Sequence, residues 1–90
     1  MPVHIQVPAR LQSRTGTSEI RVPGATVYEA LLAAAQQHDS VRAELFDETT
    51  LKPFVRIFLN EDAIEYLQGP DTPTRDGDSI SFVTTLGPQT

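Results

Sequence analysis

An α+β fold is what these 90 residues predict. Three observations carry the prediction. Val3-His4-Ile5-Gln6-Val7 and Ser18-Glu19-Ile20-Arg21-Val22 alternate apolar and polar residues with a period of two, the mark of strands with one wet and one buried face. Residues 27–38 form one long Ala- and Leu-rich run with helical spacing. Two more strand-like runs, at 54–59 and 79–83, follow that helix and are separated by turn chemistry. The order is strand, strand, helix, strand, a brief fourth strand, strand.

The elements follow in turn. Residues 10–17 contain Ser13, Thr15 and Gly16 and read as the turn of a β-hairpin joining the first two strands. Pro23-Gly24 punctuates the chain. Thr26, with Glu29 three residues on, is a capping-box pattern that opens the helix. Val27, Ala30, Leu31, Ala34 and Ala35 share one helical face. This is the only long helix expected, with a short helical turn at 41–46. Phe54-Val55-Arg56-Ile57-Phe58-Leu59 is a third strand, Asn60-Glu61-Asp62 a tight turn, and Ala63-Ile64 a brief fourth strand. "QGPDTPTRDGD" is loop by composition, and residues 79–83 make the last strand. Alternation directs Val3, Ile5, Val7, Val55, Ile57, Leu59, Ile80 and Phe82 at the helix, with Val27 and Leu31 pointing back. His4, Gln6, Phe54, Arg56, Phe58, Ser81 and Val83 then share the opposite face of the sheet.

Composition narrows the function. The length suits a single domain spanning 1–90, with one modest core that buries roughly 60–65% of the unfolded surface. Without cysteine there are no disulfides, thiolate zinc sites, Cys-ligated iron–sulfur clusters or cysteine nucleophiles. A formal net charge of -5 with scattered basic residues argues against binding a phosphate backbone. No apolar run approaches the roughly 20 residues of a membrane span, and no signal-peptide pattern is present. The expectation is a cytoplasmic protein with no nucleic-acid or membrane partner.

The stretch "FVRIFLNEDAIEYLQGPDTPTRDGDSISFV" resembles the second half of the MoaD/ThiS sulfur-carrier family. The resemblance rests on the strand ending Ile57-Phe58-Leu59-Asn60, and on Asp76-Gly77-Asp78 leading into Ser79-Ile80-Ser81-Phe82. The family's Leu before Asp-Gly-Asp is Thr74 or Arg75 here. The resemblance implies a ubiquitin-like β-grasp: a mixed sheet of four to five strands packed on one main helix. It also implies a carrier and not an enzyme, needing no cofactor of its own. In the family, an E1-like adenylyltransferase activates the C-terminal carboxylate, and sulfur displaces AMP to leave a thiocarboxylate for a sulfur-acceptor or synthase subunit. Glycine suits such a tail because a backbone without side chains threads a narrow channel.

The family ends in Gly-Gly. Carried over in register from Phe82, those glycines fall on Pro88 and Gln89, and the nearby glycine is Gly87. Some carriers are trimmed by a JAMM-type metalloprotease, and trimming after Gly87 would leave Leu86-Gly87 as the working end of a flexible tail, 84–90. The resemblance also implies that the sheet face docks partners, through Arg56, Phe58 and Val83; aromatic residues and Arg are enriched at interface hot spots. The alternative is a non-covalent β-grasp adaptor or small subunit that has lost the thiocarboxylate chemistry.

Other candidates read as ordinary structure. His4 and His38 are far apart in sequence, and no metal site is expected; His38 at a helix end suits the dipole when charged. Asp76-Gly77-Asp78 lacks the remaining ligands of a calcium loop and reads as a turn. Glu44, Asp47 and Glu48 read as a solvated face, as do Glu61, Asp62 and Glu65, which could also steer a basic partner. Ser13 and Ser18 have no base placed by sequence, and Gly16 and Gly24 stand alone, so neither nucleophilic catalysis nor a phosphate loop is indicated.

Overall fold

The structure, a computed structural model, describes residues 3–48, 50–52 and 55–84. Its elements are β1 (Val3–Gln6), α1 (Ala9–Thr15), β2 (Glu19–Val22), α2 (Val27–Gln37), α3 (Asp39–Leu45), β3 (Phe46–Asp47), β4 (Thr50–Leu51), β5 (Val55–Leu59), β6 (Asp62–Ala63) and β7 (Ser79–Thr84). Two 3-10 turns, Ile64–Tyr66 and Gly69–Asp71, lie between β6 and β7.

The main sheet has the order β2-β1-β7-β5-β6. It is mixed: β1 and β7 run parallel at the centre, while β2, β5 and β6 pair antiparallel. A parallel central pair needs a long crossover, and the helices supply it. Val3, Ile5, Val7, Ile20, Val22, Ile57, Leu59, Ile80 and Phe82 are buried on one side of the sheet, against Val27, Ala30, Leu31, Ala34 and Ala35 of α2. Val55 packs partly buried at the margin of this core.

α2 begins as its capping pattern predicts. Thr26 Oγ1 accepts from Glu29 N at 3.2 Å. The return bond reaches one residue further than in the usual box, with Glu29 Oε1 accepting from Ala25 N at 3.3 Å. The "QGPDTPTRDGD" loop is pinned to this helix start: Val27 N donates to Thr72 O at 3.0 Å, Thr74 N to Ala25 O at 3.0 Å, and Thr74 Oγ1 to Gly24 O at 2.6 Å. Thr72 is buried, and its hydroxyl donates to Gly69 O and accepts from Gln68 N.

Three expectations need correction. The connection between β1 and β2 is the two-turn helix α1 in place of a hairpin turn. Leu11 is the one buried side chain among those described in it, so no apolar periodicity announces it; burial of Leu11 and packing on α3 stabilise it. Its end is legible in the sequence, since Gly16 adopts φ 77° and its N–H donates to Gln12 O, as a left-handed cap requires. Second, the turn expected at 41–46 is the helix α3, starting at Asp39; Phe46 leaves it to enter β3, which pairs with β4 in a small separate hairpin. Third, the brief fourth strand is β6, one residue earlier than read, because Ile64 turns inward as the first residue of a 3-10 turn.

Candidate functional site

The register of β5 against β7 builds the outward face of the sheet. Arg56 stands opposite Val83 and Phe58 opposite Ser81, so these four share one face while Ile57, Leu59, Ile80 and Phe82 fill the core. The structure thus brings Arg56, Phe58 and Val83 together as the alternation predicts. Val83 is 49% exposed and Phe58 half-buried. The Arg56 guanidinium donates through Nη2 to Glu65 Oε2 at 3.3 Å. Both side chains are about half exposed, 45% and 56%, so the pair contributes at most about 1 kcal/mol to stability, but it aims the guanidinium along the surface.

Sequence reading missed Tyr66 and Leu67. Tyr66 is 79% exposed and Leu67 43%; with Val83 they are the large exposed hydrophobics among the described residues. They follow Glu65, the partner of Arg56, in the chain, and the 3-10 turn that contains Tyr66 packs against β5. The signal was an aromatic-aliphatic pair standing outside any periodic run. Alongside lies an open cleft of about 190 Å³, floored by Leu51, Val55, Ile57 and Ile64 and rimmed by Arg56 and Glu65. Val55, which lines this cleft, pairs with Thr84, the last described residue. Leu86 and Gly87 lie outside the described residues, as do Phe54, Pro88 and Gln89.

The other half of the same face is polar. His4 Nδ1 meets the Glu19 carboxylate, and Gln6 Nε2 donates to Ser79 Oγ at 3.3 Å. His38 is on the opposite side of the fold at the α2–α3 junction, where its carbonyl accepts from Val41 N and Arg42 N. Among the described residues, no three His, Cys, Asp or Glu side chains converge as a metal site. Ser13 and Ser18 are exposed. Glu61, Asp62, Glu65 and Asp71 are exposed on the segment that follows β5, so that segment presents an acidic surface.

The Asn60 turn and the Asp-Gly-Asp turn meet each other. Asn60 adopts φ 59°, its carboxamide accepts from Ser79 N at 3.1 Å and donates to Asp78 Oδ1 at 3.3 Å, and its own N–H donates to Ser79 O at 2.6 Å. Asp78 also accepts from Arg75 N at 2.9 Å, closing a turn whose Gly77 has φ 83°. The Asn and Asp-Gly-Asp signature is therefore a clasp that fixes where β7 starts.

The model of the ThiS family matches residues 5–87. A protein from Archaeoglobus fulgidus that is proposed to be a sulfur carrier is 32% identical over 88 residues, covering 96% of this chain and 97% of the relative. The solution structure of small archaeal modifier protein 1 from Methanosarcina acetivorans superimposes with a TM-score of 0.83 at 25% identity, covering 96% of this chain and 94% of that one. A chain of the Amycolatopsis orientalis BexX/CysO complex, known from its crystal structure, shares the fold, with a TM-score of 0.81 at 24% identity over 94% of this chain and 97% of the matched one.

Proposed function

The chain belongs to the ThiS family, ubiquitin-like β-grasp proteins that serve as small sulfur carriers and not as enzymes, and on that premise we propose that its C-terminal tail is activated and thiolated. In this reading an E1-like enzyme joins the terminal carboxylate to AMP with release of pyrophosphate. A sulfur nucleophile then forms the C–S bond as the C–O bond to AMP breaks. Leu86 and Gly87 are the working end, a reading supported by a family match that runs to Gly87. A JAMM-type metalloprotease would remove the residues beyond it. The activating enzyme and then the sulfur acceptor dock on Arg56, Phe58 and Val83, extended by Tyr66 and Leu67. The observation carrying this is placement: Val83 is exposed on β7, the strand that leads to the tail, and the 3-10 turn that carries exposed Tyr66 packs against β5, the strand paired with β7. The structural neighbour from the BexX/CysO complex supports a carrier that works by docking. The site of action proposed is the cytoplasm; among the described residues no helix is long and apolar enough to cross a membrane.

The intact mass of the protein from its native host tests the chemistry. The expected mass ends at Gly87, with or without about 16 Da for exchange of oxygen by sulfur. A full-length mass through Thr90 that does not change with ATP, sulfide and host extract refutes it. Pro88 and Gln89 at the Gly-Gly register favour the second reading, a non-covalent adaptor. Val83→Asp and Arg56→Glu separate docking from tail chemistry: each should slow thiolation about tenfold while the domain remains folded by circular dichroism at the assay temperature, as loss of a hot spot does.

A further inference from the structure

Seven side chains are basic, and six of them are arginines: Arg10, Arg14, Arg21, Arg42, Arg56 and Arg75. The seventh, Lys52, is the one lysine. Its backbone N–H donates to Leu45 O at 2.8 Å, and its Nζ donates to Ala43 O at 2.7 Å. Both carbonyls belong to the last turn of α3, where a helix has orphan acceptors and the negative end of its dipole. Lys52 is thus tied at both ends of its length, and the residue is half-buried.

We infer that the fold withholds the chain's single side-chain amine, Lys52, from acyl transfer by tying it to the C-terminus of α3. The consequence rests on the carrier reading above. An acyl adenylate reacts with any free amine: the nitrogen bonds to the carbonyl carbon, the C–O bond to AMP breaks, AMP departs and the amine loses a proton to water. Such a reaction between carriers would consume the activated tail as an amide before sulfur arrives. Guanidinium groups stay protonated and do not compete. Lys52 would have to leave Ala43 O and shed a proton to react.

A chemical acyl donor tests the inference without any activating enzyme. Gln68 is exposed, so Gln68→Lys in the full chain adds a reference amine to the same folded molecule. The chain is treated with limiting N-acetoxysuccinimide at neutral pH, and acetylation at each lysine is mapped by peptide mass. Lys52 should react about five- to tenfold more slowly than the introduced lysine, the factor that one solvent-exposed hydrogen bond of about 1 kcal/mol carries. In urea the two should react at equal rates. Equal rates in the folded chain overturn the inference, and so does a difference that persists in urea. Neither result depends on whether the tail is thiolated, which the mass measurement decides separately.

Discussion

Replacing Asn60 tests whether the clasp between the β5–β6 turn and the start of β7 holds by side-chain bonds, by backbone conformation, or by both. Asn60→Gly removes the two carboxamide bonds, to Ser79 N at 3.1 Å and to Asp78 Oδ1 at 3.3 Å, and keeps a residue at ease with φ 59°. Both bonds are solvent-exposed and one is long, so together they contribute about 1 kcal/mol. Asn60→Ala removes the same bonds and adds a left-handed alanine, a further cost of about 1 kcal/mol. For a domain of this size each kcal/mol lowers the melting temperature by about 4–8 °C. Thermal unfolding followed by circular dichroism should therefore show a drop of about 4–8 °C for Asn60→Gly and about 8–16 °C for Asn60→Ala. An Asn60→Gly variant that melts like the parent would show that the side-chain bonds carry no weight. An Asn60→Ala variant at least as stable as Asn60→Gly would refute the conformational half.

Three further outcomes follow from the packing. A Cβ at Gly24 would stand 2.7 Å from Ala30 N and 2.9 Å from Ala30 Cα, so Gly24→Ala must push the first turn of α2 away and should cost about 1–3 kcal/mol by urea unfolding. Leu31 is fully buried at the centre of the α2 face, and Leu31→Ala should cost about 2–5 kcal/mol in the same assay. Thr17 Oγ1 donates to Glu19 O at 2.8 Å and accepts from Glu19 N at 3.2 Å, occupying the outer edge of β2 as a neighbouring strand would. Thr17→Val unplugs that edge and should raise the apparent mass in light scattering at high concentration; an unchanged mass would show that the edge is guarded by something else.

The sequence by itself determined the strands, their faces and the main helix. Period-two alternation in 3–7 and 79–83, and helical spacing in 27–38, are properties of residues two to four apart in the chain, and a strand or helix turns that spacing directly into a face. So the core residues, the Thr26 cap, and the sharing of one face by Arg56, Phe58 and Val83 are all legible from local spacing. What the tertiary structure alone decided depends on contacts between residues distant in sequence. α1 is anchored by buried Leu11 and forms because α3 lies against it. The pairing of Arg56 with Val83 needed the β5–β7 register, which no local pattern specifies. Tyr66 and Leu67 look like core residues by composition but are exposed, the 3-10 turn burying Ile64 in their place. Lys52 reads as one basic residue among seven until the return of the chain sets it against the carbonyls of α3.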